Sequence, residues 1–266
     1  MAIRSESGEP PGHRDDECAV RIAATGDIHL GRPDDEERWT AAFAGLRDRV
    51  DLVLLAGDLT THGEPEQAAM VARAVGALDG TAVLAVLGNH DWHSNRRDEV
   101  VAALTEGGVD VLERDHRILE LCGTEVGVAG TKGFAGGFEG AHIPDFGEPI
   151  LRELYAESIR EAEALDAGLR AVALCPFRIA LLHYAPITAT LEGERTDIWS
   201  FLGTDRLAGP LREHHPDLVL HGHAHAGTFE GRVGDVPVYN VSVPVLGEDF
   251  WVFEITGAAR APSEVH

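Results

Sequence analysis

Five apolar segments of the sequence each end in a side chain that can ligate a metal ion. "RIAATGD" ends at Asp27, "DLVLLAGD" at Asp58, "AVLAVLGN" at Asn89, "RIALLH" at His183 and "DLVLHGH" at His223. Carboxylate, amide oxygen and imidazole together suit a first-row divalent cation better than calcium or an ion that prefers thiolates. The pattern therefore predicts a metal site to which all five segments contribute.

Further potential ligands lie at or just after these segment ends. The full candidate set is Asp27, His29, Asp58, Asn89, His90, Asp91, His183, His223 and His225. This set is too large for one tetrahedral ion, whereas two ions that share a carboxylate, at about 3.5–4 Å from each other, would use most of it. The residue types and their number therefore predict the chemistry of a two-metal hydrolase.

The five segments are predicted β-strands, and helices separate the first three of them. The strands that carry candidate ligands are 20–25, 52–56, 82–87, 178–182 and 217–221. Their first three ligands follow one another at intervals of 31 residues, which is the length of one βαβ unit. Since ligands bind outside the carboxyl ends of strands in open parallel sheets, the five strand ends should converge on one crevice.

The remaining elements complete one α/β domain over residues 20–257. The predicted helices are 34–49, 64–79, 95–106, 149–172 and 203–214. Further strands are predicted at 109–113, 117–121, 125–129, 229–233, 236–242 and 250–255. Residues 1–19 are polar, contain two adjacent prolines and lack an apolar signal segment, so they are predicted to form a disordered leader, and 258–266 a flexible tail.

Small residues stand directly before or between the candidate ligands. Glycine precedes Asp27, Asp58, Asn89 and His223 in the sequence. Glycine permits a sharp turn and a close backbone approach at a strand end. In an extended segment, side chains two residues apart share a face, so His223 and His225 should both enter the crevice.

In this order, these residues resemble the calcineurin-like metallophosphoesterase superfamily. The family pattern is D-x-H, G-D, G-N-H-[DE], a lone histidine and G-H-x-H, and the resemblance covers about residues 20–242. The matching segments are Asp27-Ile28-His29, Gly57-Asp58, Gly88-Asn89-His90-Asp91, His183 and Gly222-His223-Ala224-His225. The resemblance, which is to a bacterial branch of unknown substrate, implies an α/β/β/α sandwich. Two mixed sheets would be flanked by helices, with the active site at the C-terminal strand ends.

The resemblance also implies a role for each matching residue. Asp27, His29 and His225 would hold one metal ion, Asn89, His183 and His223 would hold the second, and Asp58 would bridge both. The metals implied are Mn, Fe, Zn, Co or Ni. A hydroxide between the ions would attack the phosphorus of a phosphomonoester, phosphodiester or pyrophosphate. His90 would protonate the leaving group as general acid, and Asp91 would orient His90.

Composition restricts the class of substrate. The formal charge is −23 and the longest run of basic residues is Arg96-Arg97, so a long nucleic acid is not expected to bind. A small phosphorylated substrate is expected, whose charge the metals would balance.

No apolar stretch is long enough for a membrane span. Cys18, Cys122 and Cys175 form no C-x-x-C pair, which predicts reduced thiols and a cytoplasmic location.

Other interpretations of these residues remain open at this stage. Asp27 and Asp58 could cap helices, His183 could be a buried structural histidine, and His90 and Asp91 could form a local pair. A nuclease of the same superfamily and a non-catalytic metal-binding scaffold are the competing functions, and a homodimer is left open. His221 is interpreted as a hydrogen-bonded or supporting histidine. No role is assigned to His62, His93, Lys132 or the loop 184–202, which is a candidate specificity lid.

Overall fold

The computed structural model describes residues 2–6 and 19–256, which contain two six-stranded sheets. In chain order the strands are β1 (Ala2–Glu6), β2 (Val20–Thr25), β3 (Leu52–Ala56), β4 (Ala82–Val86), β5 (Val109–Val111), β6 (Asp115–Leu121), β7 (Thr124–Gly130), β8 (Phe177–Leu181), β9 (Leu218–His221), β10 (Glu230–Val233), β11 (Val236–Asn240) and β12 (Trp251–Thr256). The predicted positions of all five ligand-bearing strands are confirmed to within one residue at each end.

The helices flank these sheets. They are α1 (Pro33–Ala44), α2 (Pro65–Val75), α3 (Arg97–Glu106), α4 (Pro149–Ala171), α5 (Trp199–Leu202), α6 (Ala208–His214) and α7 (Val243–Leu246). Three of them begin with proline, whose fixed φ and missing N–H suit the first helical position. The predicted helices at 34–49 and 203–214 are longer than those observed, because α1 ends before Gly45 and α6 begins only at Ala208.

Both sheets are mixed. The first has the order β1-β12-β2-β3-β4-β5, with β2 to β5 parallel and the other two strands antiparallel. The second has the order β10-β11-β9-β8-β7-β6, in which β11, β9, β8 and β7 are parallel. The parallel strands bring their carboxyl ends to one edge in each sheet, as the ligand pattern requires.

The two sheets pack face to face, and helices cover their outer faces. In β3, Leu52 and Leu54 belong to the core between the sheets, while Val53 and Leu55 pack on the side of α1, α2 and α3. Phe177 and Ile179 face β3 from the second sheet, whose other side packs against α4 and α6. A strand covered on both faces needs a nearly continuous apolar sequence, which these segments have. The predicted α/β/β/α sandwich is confirmed.

The prediction that residues 1–19 form a disordered leader is wrong for residues 2–6. Ala2–Glu6 form β1, which pairs with the C-terminal strand β12 and so extends the edge of the first sheet. This strand was missed because its partner lies at the other end of the chain. Residues 7–18 of the predicted leader and the predicted tail 258–266 lie outside the described residues.

Cysteine chemistry also differs from the prediction. Cys175 is a free and buried thiol, but Cys122 is disulfide-bonded, so the expectation of three reduced thiols is wrong. The prediction of a cytoplasmic location rested on reduced thiols and loses the support of Cys122. In the described part of the chain, every helix is too short or too polar to cross a membrane.

Candidate functional site

The carboxyl ends of the two sheets meet, and hydrogen bonds tie them together. His183 follows β8 in the second sheet, and its Nδ1 donates to the carbonyl oxygen of Ala56 at the end of β3, 2.8 Å away. The His223 N–H donates to the Asp27 carboxylate across the same junction, at 2.9 and 3.1 Å. Each sheet therefore positions candidate ligands that lie beside those of the other.

One cluster of candidate ligands consists of Asp27, His29 and His225. Their ligand atoms lie within 4.8 Å of one another. The Asp27 carboxylate is buried and 2.8 Å from His225 Nε2, and the His29 and His225 rings are 5.4 Å apart. These three residues are the ones that the family resemblance assigns to the first metal ion.

Asp58 lies between this cluster and the other ligands. Its carboxylate forms one group with His29 and His90 and another with His183 and His223, with ligand atoms again within 4.8 Å. Asp58 Oδ2 is 3.8 Å from His29 Nε2, and Oδ1 is 3.4 Å from His183 Nε2. A single carboxylate thus faces imidazoles of both predicted sites, which is the placement expected of a bridging ligand.

The remaining predicted ligands lie on the far side of Asp58. Asn89 Oδ1 is 3.0 Å from His183 Nε2, and the His183 and His223 rings are 4.8 Å apart. Because His183 Nδ1 donates to the Ala56 carbonyl, the lone pair of Nε2 points towards Asn89 and Asp58. The structure therefore brings together all seven residues predicted as metal ligands.

The backbone at four of these ligands has a positive φ, which sequence analysis did not predict. Asp27 has φ 60°, His29 φ 43°, Asp58 φ 51° and His223 φ 69°. Residues other than glycine rarely adopt this left-handed conformation, which persists only where the surrounding structure enforces it. Such positions cluster at functional sites, so the strain at four ligands is independent support for a site here.

The glycines before the ligands are required by close packing. A Cβ atom on Gly57 would lie 2.5 Å from Nδ1 of His183, and Gly57 also has φ +84°. A Cβ on Gly88 would overlap the Asp58 carboxylate, and one on Gly222 would overlap the Asp27 carboxylate. The sequence prediction that these glycines allow a close approach is confirmed at the candidate ligands themselves.

The histidines of the site are prepared to act as neutral ligands. Burial, with the Asp27 carboxylate opposing it, lowers the pKa of His29 to about 4. Burial and the neighbouring His183 lower the pKa of His223 to about 3, and burial takes the pKa of His183 well below its usual value. A metal ion binds the neutral form of imidazole. These side chains are already neutral at neutral pH, so metal binding does not require them to lose a proton. Only His225 differs, because its hydrogen bond to Asp27 raises its pKa.

The charges of the buried carboxylates require compensation by a cation. Burial, followed by repulsion from Asp91 and Asp27, raises the pKa of Asp58 to about 9. The protein places uncharged imidazoles beside this carboxylate where a structural ion pair would place an arginine or lysine. Oxygen and nitrogen donors around a carboxylate without a counter-ion fit a divalent cation such as Zn, Mn or Fe.

His90 points into the site, but Asp91 does not orient it. Asp91 is fully buried, and its carboxylate accepts hydrogen bonds from the N–H groups of Leu59, Thr60 and Gly88 at 2.8–3.2 Å. The prediction that Asp91 orients His90 is therefore wrong, because this side chain instead joins the loops that follow β3 and β4.

The partner of the His90 ring is a backbone carbonyl. His90 Nδ1 lies 2.8 Å from the oxygen of Thr61, and Nε2 is 3.9 Å from Asp58 Oδ2. Nδ1 therefore donates to Thr61, which directs Nε2 towards Asp58. This contact could not be predicted from the sequence, because every residue type has a backbone carbonyl.

Several nearby residues complete the surroundings of the site. The interpretation of His221 as a hydrogen-bonded histidine is confirmed: it is buried, with Nδ1 2.8 Å from Gly222 O and Nε2 2.8 Å from Thr190 Oγ1. The exposed His93 packs its ring 4.2 Å from that of His90. Tyr184, at the start of the loop 184–202, packs its ring 4.4 Å from that of His223, a contact that the sequence did not predict.

A family model described as calcineurin-like phosphoesterase matches residues 20–227 of the chain. Among solved structures, phosphopantetheinyl hydrolase (PptH) from Mycobacterium tuberculosis is similar with a TM-score of 0.63 and 17% sequence identity. The alignment covers 86% of this chain and 91% of that one. No curated protein matches the chain by sequence.

Two other solved structures share the fold. Purple acid phosphatase PPD1 from yellow lupin seeds has a TM-score of 0.55 and 12% identity, over 94% of this chain and 47% of that one. The protein TT1561 of Thermus thermophilus has a TM-score of 0.52 and 19% identity, over 84% of this chain and 88% of that one. At these identities, the likeness establishes a shared architecture and leaves substrates undetermined.

The substitution Gly222→Ala should reduce metal binding. Its new Cβ would overlap the Asp27 carboxylate and lie 2.9 Å from the carbonyl oxygen of Ala56, so Asp27 must move away from its cluster. Displacement of a ligand or its support costs about 10–100-fold in metal affinity, which a manganese titration followed by calorimetry would measure.

Gly209→Ala is the matched control, because nothing lies within 4 Å of the Cβ that it would add. Manganese affinity should stay at the wild-type value in this variant. Wild-type affinity in Gly222→Ala as well would show that the position of Asp27 does not determine metal binding.

Proposed function

The chain belongs to the calcineurin-like phosphoesterase family, whose model covers residues 20–227, and is a metal-dependent phosphoesterase. From this premise we propose that it uses two divalent metal ions to hydrolyse a phosphomonoester, phosphodiester or pyrophosphate bond of a small substrate. Asp27, His29 and His225 hold one ion in this proposal, and Asn89, His183 and His223 hold the other. Asp58 is shared between them.

The observation that carries the proposal is the position of the Asp58 carboxylate. Its two oxygens face different sets of imidazoles, and each set lies within the reach of one ion. A site for one metal would need only one such set. Two bound divalent cations would supply Lewis acidity towards the phosphate group and hydroxide at neutral pH.

His90 is the proton donor for the leaving group in this proposal. The Thr61 carbonyl holds Nδ1, so the proton available for transfer is the one on Nε2, which faces the space beside Asp58. The His90 side chain is 33% exposed, and a substrate can therefore reach it from solvent. A proton on Nε2 neutralises the charge that develops on the ester oxygen as it leaves.

Charge favours a small substrate over a nucleic acid. The chain carries 45 acidic and 22 basic residues, and its formal charge of −23 would repel a polyanionic backbone. The competing function of a nuclease therefore has no supporting basic surface in the sequence. The non-catalytic scaffold is disfavoured because His90 and all seven candidate ligands are retained and face one another.

Removal of metal should abolish hydrolysis without unfolding the protein. After thorough dialysis against a chelator, turnover of bis(4-nitrophenyl) phosphate and of 4-nitrophenyl phosphate should fall at least about a hundredfold, because the Lewis acid is lost. Manganese should restore it, and circular dichroism should show that the chelated protein stays folded. Full activity after chelation would contradict the proposal.

The substitution His90→Ala should separate catalysis from metal binding. Loss of a general acid lowers kcat by about 10²–10⁴-fold, while the metal content of the purified protein should equal that of the wild type. His116→Ala, at a half-exposed histidine on the edge strand β6, is the control and should leave both quantities unchanged. Unchanged kcat in His90→Ala would remove His90 from the mechanism.

A further inference from the structure

The proposed chemistry makes no use of a cavity of about 460 Å³ that is lined by Trp92, Lys132 and several arginines and glutamates. One wall is Trp92, which belongs to the same short 3-10 helix as His90 (His90–Trp92). Another wall is Lys132, which lies two residues after the end of β7. Trp92 and Lys132 therefore both follow strands whose carboxyl ends lie at the edge that carries the candidate ligands.

Lys132 is the one lysine in a chain with 22 basic residues, and it is 8% exposed. Its Nζ donates one hydrogen bond, to the carbonyl oxygen of Gly133 at 3.0 Å. Within the described part of the chain, it forms no ion pair. An ammonium group has three donors, and a buried cation is normally paired. The cavity wall thus contains a buried ammonium group that can donate further hydrogen bonds.

An arginine binds each glutamate that lines the cavity, while the charges of these glutamates also favour the charged form of Lys132. The ion pairs are Arg97–Glu113, Arg114–Glu157, Arg114–Glu161 and Arg160–Glu157. Glu161 also accepts hydrogen bonds from the Thr131 hydroxyl and the Gly133 N–H. In the described residues, none of these carboxylates forms an ion pair with Nζ, so the free donors of Lys132 can bind a group that enters the cavity.

Aromatic rings connect Lys132 to the metal centre. Nζ lies 4.6 Å from the ring centroid of Phe134, 5.2 Å from that of Tyr184 and 5.8 Å from that of Trp92. The Tyr184 ring in turn lies 4.4 Å from that of His223, so one side chain separates the ammonium group from a candidate ligand. The Lys132 carbonyl also accepts the N–H groups of His183 and Tyr184, both at 3.0 Å.

We propose that this cavity is the leaving-group subsite and that the substrate is a phosphate ester whose leaving group carries a second anion. The Lys132 ammonium pairs with that anion, a carboxylate or a phosphate, and the indole of Trp92 packs against the part of the leaving group between the anion and the ester oxygen. The inference rests on the proposed phosphoesterase function. In this proposal, Lys132 and Trp92 select the leaving group.

Three non-hydrolysable ligands test the subsite on the manganese-loaded protein. Phenylphosphonate lacks the second anion, 4-carboxyphenylphosphonate supplies a carboxylate, and 1,4-phenylenediphosphonate supplies a second phosphonate. Calorimetry should show that at least one doubly anionic ligand binds about tenfold or more tightly than phenylphosphonate, the effect of one charge-assisted hydrogen bond. The preferred ligand identifies the chemistry of the anion.

The variant Lys132→Met should abolish this preference, so that the three ligands bind to it with equal affinity. Arg170→Met, which removes a cation paired with Asp166 at the end of α4, is the matched control and should keep the preference. Equal binding of all three ligands to the wild type, or a preference that persists in Lys132→Met, would overturn the subsite. Absence of any metal-dependent binding of phenylphosphonate would instead contradict the proposed function.

Trp92→Ala tests the other wall, because Trp92 is 40% exposed and its indole lines the cavity. All three aryl ligands should bind about 2–10-fold more weakly to this variant, the usual range for a lost aromatic contact, while methylphosphonate should bind as before. Unchanged affinity for the aryl ligands would show that Trp92 is not part of the subsite.

Discussion

The buried carboxylate of Asp58 is the constraint on which the rest of the site depends. It lies between two sheets, near two other acidic side chains, with neutral imidazoles where a counter-charge would stand. A carboxylate in this position is stable as an anion only if a cation joins it. The fold therefore forms a site for a cation, and the cation must come from solution.

The two-sheet architecture explains how ligands from distant segments reach that place. The first sheet supplies Asp27, His29, Asp58 and Asn89, and the second supplies the three remaining histidines. Neither sheet alone supplies either of the two predicted sets of metal ligands. Packing of apolar side chains between the sheets thus sets the distances between ligands, and metal binding should in turn stabilise that packing, because a ligand that binds only the folded state adds its binding free energy to stability.

Sequence patterns predicted the ligand-bearing strands and the convergence of their ends, because apolar runs and strand-end ligands are local features. The missed features depend on contacts between remote segments. Asp91 reaches back to the loop after β3, the Thr61 carbonyl fixes His90, and β1 needs β12 as its partner. The burial of Lys132 was likewise invisible, since a lysine in a glycine-rich loop usually faces solvent.

The most direct test of the two-ion site is an anomalous-difference map from crystals grown with manganese. Two peaks should appear about 3.5–4 Å apart, one on each side of the Asp58 carboxylate. The first should be ligated by Asp27, His29 and His225, and the second by Asn89, His183 and His223. A map with no peak beside Asp58, or with a single peak that leaves one of these sets without an ion, would contradict the two-ion site.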